Sequence, residues 1–315
     1  MDSNNQRINL ISNKGERFYY IHGTNSRLGG GAMGEVFEGR SVEDPRRKVA
    51  IKRVYPRHAE NLELRKRARF EASLCIEHPN LIKMLGYCEF NQFNGPVFIV
   101  SELVQGNTIN KFVQTIDLHN RTEVISRMIC SALDALTCLH SQVPAIWHRD
   151  IKPSNIMIEN GRNVRIMDLG IAATDGKSLG TLDGTAFGTF KYAPPEQVRG
   201  ERNNVNGTSD IYSLGVTFYE LLTNVNPFDD LNEFVIMDRQ IKMHLPYNEL
   251  IPKSLFKVIS KATAKSQKDR YQKASDFKDA IIKAFEDENP LPWNLIIIGT
   301  SALILFLILL TLFIK

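Results

Sequence analysis

The chain predicts an α+β fold, with strands gathered toward the N-terminus and helices beyond, followed by one C-terminal transmembrane helix. Three observations carry that expectation. Glu35-Val36-Phe37-Glu38-Gly39, Val49-Ala50-Ile51-Lys52 and the run from Val97 to Val104 are short apolar segments with the composition of strands. Ile125, Met128, Ile129, Ala132, Leu136 and Leu139 recur at helical spacing, and Phe277, Ala280, Ile281, Ala284 and Phe285 do so again. Leu295 to Ile314 then gives twenty predominantly apolar residues without a charge. At 1.5 Å per residue that is about 30 Å of helix, enough to cross a bilayer.

Taken in order, the chain opens with Arg7 to Ile11 and Arg17 to Ile21 flanking Ser12-Asn13-Lys14-Gly15, the pattern of a hairpin in an N-terminal extension of residues 1–23. Next comes Leu28-Gly29-Gly30-Gly31-Ala32-Met33-Gly34-Glu35-Val36, a G-x-G-x-x-G-x-V run. Glycines there let backbone amides approach phosphates with no Cβ in the way. The same spacing occurs in dinucleotide-binding turns, but those open a helix at the last glycine. Here the following residues are strand-like, and the next strand carries Lys52, placed to reach phosphates.

The run His148-Arg149-Asp150-Ile151-Lys152-Pro153-Ser154-Asn155 puts a carboxylate, an ammonium and a carboxamide on one short loop. Phosphoryl transfer needs those groups: a base for the incoming hydroxyl, a cation for the moving phosphoryl group and an oxygen ligand for a metal. Beyond it lie Asp168-Leu169-Gly170, Gly188-Thr189-Phe190-Lys191-Tyr192, Pro194-Pro195-Glu196, Asp210-Ile211-Tyr212-Ser213-Leu214-Gly215 and Asp269-Arg270-Tyr271. In order and spacing these motifs resemble those of eukaryotic-type (Hanks-type) Ser/Thr protein kinases, and lean toward bacterial membrane-anchored ones.

The resemblance runs from about Thr24 to Phe285 and implies a bilobal protein-kinase fold over residues 24–286, a β-rich N-lobe before a helical C-lobe. It implies ATP held by Leu28, Gly29, Gly31, Gly34, Val36, Ala50, Lys52, Glu71, Glu102 and Val104. Glu71 would pair with Lys52, while the backbone of Glu102 and Val104 would hold the adenine edge, with Ser101 as a small gatekeeper. Asn155 and Asp168 would ligate Mg²⁺, or Mn²⁺ in its place. Asp150 would be the base and Lys152 would stabilise the transferred group. Lysine at that place, with Thr189 bonded to both, points to Ser/Thr acceptors in protein substrates. His148 would pack and brace backbone, Asp210 would brace the catalytic loop and Arg270 would pair with Glu196.

Several positions depart from the family pattern. Leu169 replaces a phenylalanine and Pro194 an alanine, and Ala173 stands where a second basic residue is common. The stretch from Glu71 to His78-Pro79-Asn80 is about two residues short, some 200° of helix rotation. Arg65-Lys66-Arg67 and Arg69 read as a solvated helix face in preference to a lipid contact. Thr174, Ser178, Thr181 and Thr185, interleaved with glycines, form the expected phosphorylatable loop, with Arg149 as phosphate receiver.

Of 315 residues, 39 are Lys or Arg and 35 Asp or Glu, an excess that calls for no nucleic-acid partner. Cys75, Cys88, Cys130 and Cys138 show no C-x-x-C spacing and read as thiols of a reducing compartment. No secretory signal is evident at the N-terminus. Pro290 and Pro292 break the last helix, leaving residues 287–294 as a short linker to the span at 295–314, with Trp293 as an interfacial aromatic. The expectation is a single-pass membrane protein with a cytoplasmic kinase domain, no extracytoplasmic sensor, and a homodimer compatible with the resemblance. The rival reading is a membrane-anchored pseudokinase scaffold. Such proteins usually lose one of the lysine, the base or the metal aspartate, and this chain keeps Lys52, Asp150 and Asp168. A small-molecule phosphotransferase fits less well, since it generally lacks the glycine loop and the Gly188–Glu196 element.

Overall fold

The computed structural model describes residues 6–31, 34–55, 62–74, 76–90, 95–117, 120–168 and 190–288. Thr189, the hydroxyls between 174 and 185 and the apolar segment 295–314 lie outside these residues. Among the described residues, no helix is long and apolar enough to cross a membrane.

The N-lobe is a seven-stranded sheet. Its strands are β1 (Gln6–Ile11), β2 (Arg17–His22), β3 (Arg27–Gly31), β4 (Gly34–Ser41), β5 (Lys48–Val54), β6 (Met84–Glu89) and β7 (Val97–Glu102). They run in the order β1-β2-β4-β5-β7-β6, and β3 pairs with the first half of β4. Because strand side chains alternate, β5 divides two cores. Val49 and Ile51 face one side, where Leu10, Phe18 and Tyr20 of the N-terminal hairpin join Phe37, Phe98 and Val100. Val54 faces the other, with Val97 and Ile99 beneath Ala68 and Ala72 of helix α1 (Leu62–Ser73). The register Leu10↔Phe18 and Ile8↔Tyr20 forms the expected hairpin, and its buried residues join the core of the sheet.

The hairpin turn also reaches the far edge of that sheet. Asn13 donates its backbone N–H to the Tyr87 carbonyl at 2.8 Å, and its Oδ1 accepts from the Tyr87 N–H at 3.0 Å. Edge groups of β6 that would otherwise lie bare are thereby satisfied. The contact requires Gly86, whose φ is +152° and whose missing Cβ would stand 2.7 Å from Asn13 Oδ1. Gly86→Ala should cost about 1–3 kcal/mol through strain at that φ and loss of the clamp. Urea unfolding checks this, with Asn13→Ala as the companion that removes the side-chain half of the clamp without the strain.

Helix α1 corrects one expectation. Arg65 and Arg69 do not form a solvated face: both bind Glu89 at the end of β6, at 3.2 and 2.7 Å, and Arg65 is only 1% exposed. Arg65 also donates to the Gly95 carbonyl. Lying four residues apart, the two arginines occupy one flank of the helix, beside the buried Ala68 and Ala72. Lys66 alone of the basic run fits the solvated reading, and the Arg67 side chain is not among those described.

The C-lobe is built on helix α3 (Arg121–His140) and helix α5 (Gly207–Thr223), between the short helix α2 (Ile109–Val113) and helices α4 (Pro195–Val198), α6 (Glu233–Lys242), α7 (Lys253–Ala262) and α8 (Ala274–Glu288). All six apolar positions expected along α3 are buried, and Phe277, Ile281 and Ala284 of α8 pack into the same core. Helix α5 starts at a capping box, Asn206 Oδ1 accepting from the Thr208 N–H while Ser209 Oγ accepts from the Asn206 N–H. A three-stranded sheet of β8 (Gly106–Thr108), β9 (Ile156–Glu159) and β10 (Asn163–Ile166) lies at the joint of the lobes. There Ile166 exchanges backbone hydrogen bonds with Asn80 and Ile82 at 2.8 and 3.0 Å. Arg165 joins Glu102 at 2.8 Å and the Pro79 carbonyl at 2.7 Å.

Candidate active site

The loop between α3 and β9 carries Asp150 through a backbone that would not hold by itself. Arg149 sits at φ +65°, a left-handed conformation that sets its Cβ against the following carbonyl and so is unfavourable for a residue other than glycine. Asp210, buried at the start of α5, holds it there. Its Oδ1 accepts from the Arg149 N–H at 2.7 Å and its Oδ2 from the His148 N–H at 2.8 Å. His140 Nε2 lies 2.9 Å from the same Oδ2, and Gln197 Nε2 donates to the Arg149 carbonyl at 3.0 Å. Burial disfavours the Asp210 charge, but the His140 contact and the backbone donors outweigh it and hold the carboxyl below its ordinary range. His148 is fully buried, bonded through Nε2 to the Met167 carbonyl at 2.9 Å, which is the packing position expected of it.

On that support three predicted groups meet. Lys152 Nζ is 2.8 Å from Asp150 Oδ2, and Asn155 Nδ2 donates to the same oxygen at 3.0 Å and to the Asp150 carbonyl at 2.8 Å. Asn155 thus turns its amide nitrogen to Asp150 and keeps its carboxamide oxygen for another partner. Its backbone carbonyl takes the Met167 N–H at 2.9 Å, tying the loop to the turn that carries Asp168. Asp168 is again left-handed, at φ +50°, and its Oδ1 is 2.8 Å from Lys52 Nζ. The Lys52 ammonium keeps the Asp168 carboxyl below its ordinary range. One carboxylate and one carboxamide oxygen are hard donors, the set that suits Mg²⁺ or Mn²⁺ completed by phosphate oxygens. Among the described residues no cluster of three or more His, Cys, Asp or Glu offers a richer metal site.

The register of the N-lobe sheet gathers the other nucleotide positions. Val36 lies opposite Lys52 and Ala50 opposite Ser101, so Val36, Ala50, Lys52 and Ser101 share the face turned to the cleft. Gly29 has open space where a Cβ would stand, as a phosphate-covering turn requires. Gly34 has a different constraint, because its Cβ would lie 2.2 Å from the Arg53 carbonyl. Leu28 is exposed on β3 next to Gly29, and Val104 is buried just past the end of β7. That strand ends at Glu102, two residues short of the expected Val104. The Glu102 carboxylate also accepts from the Lys83 N–H at 2.9 Å. Glu71 belongs to α1, but its side chain is not among those described, and Thr189 lies outside the described residues.

Residues that sequence reasoning passed over support this site: His140 and Gln197 beneath the loop, and Ser209 and Gln267, which donate to Glu196 at 2.6 and 2.9 Å. Glu196 and Arg270, which it did pair, are joined by two bonds of 2.8 and 2.9 Å.

Residues 23–281 match the protein kinase domain family. The chain belongs to that family. It is 34% identical over 253 residues, 78% of its length, to a probable serine/threonine-protein kinase PknB of Lactococcus lactis, and 33% identical over 82% of its length to the serine/threonine-protein kinase PrkC of Bacillus subtilis. It is also 31% identical over 81% of its length to the tyrosine-protein kinase MasK of Myxococcus xanthus. The alignments cover 39%, 40% and 41% of those three proteins, so the chain spans about two fifths of their length. In fold it is similar to the PknI kinase domain of Mycobacterium tuberculosis, with a TM-score of 0.59, 23% identity and coverage of 82% and 94% of the two chains.

Proposed function

We propose that this chain is an ATP-dependent protein serine/threonine kinase, with its kinase domain at residues 24–286. The observation that carries the reading is the meeting of two bonded groups: Asp150, Lys152 and Asn155 on a braced loop, and Lys52 with Asp168, tied to that loop by the Met167 N–H on the Asn155 carbonyl. Lys52 holds the nucleotide phosphates, and Gly29 and Gly31 let the backbone of β3 cover them. Asp150 accepts the proton of the acceptor hydroxyl, oriented by Asn155 and by Lys152, whose charge also stabilises the transferred group. A magnesium ion, for which manganese could substitute, held by Asp168 and Asn155, would neutralise charge on the phosphate oxygens. Lys152 favours Ser/Thr acceptors. Residues 295–314, uncharged and apolar, anchor the domain to a membrane through the linker 287–294, with the domain on the cytoplasmic side where ATP is found.

Transfer of radiolabelled γ-phosphate to a basic protein in Mg²⁺, followed by acid hydrolysis, tests the reading. Phosphoserine or phosphothreonine, abolished by a chelator, supports it. Phosphotyrosine would move the chain toward the activity in the name of its Myxococcus relative. ATP binding with no transfer by the intact chain would leave the scaffold reading. Release of the full chain from vesicles by alkaline carbonate would count against the anchor.

A further inference from the structure

We propose that Gln240, on α6, is a positioning residue for the protein acceptor: it sets the turn Phe190–Tyr192 that directly follows Thr189, and is itself set by Tyr212 and Lys265. The proposal rests on the kinase reading and extends it to the acceptor side of the site.

Gln240 is completely buried. Its Nε2 donates to two successive carbonyls of the turn, Phe190 at 3.1 Å and Lys191 at 2.5 Å. Its Oε1 accepts from Tyr212 Oη at 2.6 Å. Lys265 Nζ donates to Tyr212 Oη at 2.7 Å and to the Gln240 backbone carbonyl at 2.8 Å. The chain of donors therefore runs one way, from lysine to phenol to carboxamide to backbone. A phenol that accepts from lysine has its own hydrogen left for Gln240, and a carboxamide whose oxygen faces that phenol presents its NH₂ to the turn. The amide cannot flip without setting oxygen against two carbonyls in a buried place, where no water can compensate. Burial, aided by the Arg270 charge, pushes the Lys265 ammonium down to about 7, and either of its forms has the two hydrogens these bonds need.

The place of the turn assigns the network to the acceptor rather than the nucleotide. Lys52 and the glycine strand approach the Asp150 cluster from the N-lobe. The turn lies on the C-lobe side, where Ser213 Oγ donates to the Tyr192 carbonyl at 2.8 Å and Gln197, a few residues on, holds the Arg149 carbonyl beside Asp150. Phe190 is buried against Ile236 on α6 itself. A shift of α6 would therefore move the turn, and with it whatever peptide lies against it.

The test uses the full chain with Gln240→Met, which keeps the shape and removes the amide, and with Tyr212→Phe, which removes only the hydroxyl. Two quantities are read: steady-state constants for a basic serine-containing peptide and for ATP, and the Kd of the same labelled peptide. We expect Gln240→Met to raise the peptide KM and Kd about tenfold while kcat and the ATP KM stay within about twofold, and Tyr212→Phe to act in the same sense but less. Unchanged peptide KM and Kd, or a fall in kcat alone, would make the network merely structural and overturn the proposal. If Gln240→Met does not fold, Tyr212→Phe decides it on the same terms. Inactive wild-type chain would count against the kinase reading, and the peptide Kd would still decide the role of Gln240.

Discussion

Asp150→Asn should lower kcat for phosphate transfer by about 10²–10⁴-fold, the usual contribution of a positioned general base, while the ATP Kd changes little. The substitution keeps the size of the side chain and one oxygen. That oxygen can still meet Lys152 Nζ and Asn155 Nδ2, which both approach Asp150 Oδ2, at 2.8 and 3.0 Å. The loop is held from beneath by Asp210 rather than by Asp150, so its backbone should stay in place. What is lost is the ability to take a proton. Nucleotide binding depends on Lys52 and Asp168, which pair with each other at 2.8 Å and make no direct bond to the Asp150 carboxylate. Single-turnover transfer and nucleotide titration measure the two effects separately. A loss of ATP affinity as large as the loss of kcat would mean that Asp150 organises the site instead of acting in it.

How much of this was legible in the sequence depends on what each residue binds. Asp150, Lys152 and Asn155 could be read because they lie within six residues on one loop, so their proximity is covalent before it is structural. Lys52 and Asp168, 116 residues apart, were each assigned a role, but the resemblance pairs Lys52 with Glu71, and its contact with Asp168 is seen only in the fold. His140 and Gln197 could not be read, because each meets a partner set by the folded backbone, the Asp210 carboxylate and the Arg149 carbonyl, and an isolated His or Gln carries no signal of that. The basic run of α1 was misread for a related reason. A row of arginines looks solvated until its acceptor is known, and Glu89 lies not on the helix but at the end of β6, 20 residues beyond Arg69. The hairpin was visible in its turn residues, but its closure onto β6 through Asn13 and Tyr87 is a long-range contact that no local pattern announces. Gly34 was read as a phosphate-facing glycine, and the fold adds a second demand from the Arg53 carbonyl.

Arg270→Met should destabilise the C-lobe by about 3–5 kcal/mol at neutral pH, the cost of leaving one member of a buried ion pair alone. The two side chains are 0% and 4% exposed, so water cannot take the place of the lost partner. Arg270 also donates to the carbonyls of Thr208, Ala264 and Lys265, and its guanidinium lies 4.8 Å over the Tyr212 ring. Its loss leaves three acceptors and a carboxylate short of donors, with Ser209, Gln267 and the Glu196 backbone N–H still on Glu196. The pH dependence separates this account from simple loss of packing. In the wild-type protein burial opposes the Glu196 charge, but Arg270 and Ser209 outweigh it and hold the carboxyl below its ordinary value. The pair therefore contributes its full stability above the titration of an unfolded glutamate, near pH ~4.3, and loses it as pH falls through the lower folded value. Without Arg270 the balance reverses, and burial raises the Glu196 pKa above the unfolded one. Protonation then relieves the variant as pH falls through that raised value, so its deficit should be smaller at pH 5 than at pH 7. Urea unfolding at the two pH values measures this. An equal deficit at both would show that the lost contacts of the guanidinium with carbonyls and ring, rather than the stranded charge, set the cost. Arg270→Met combined with Glu196→Met should recover much of the loss, because no buried charge is then left unpaired.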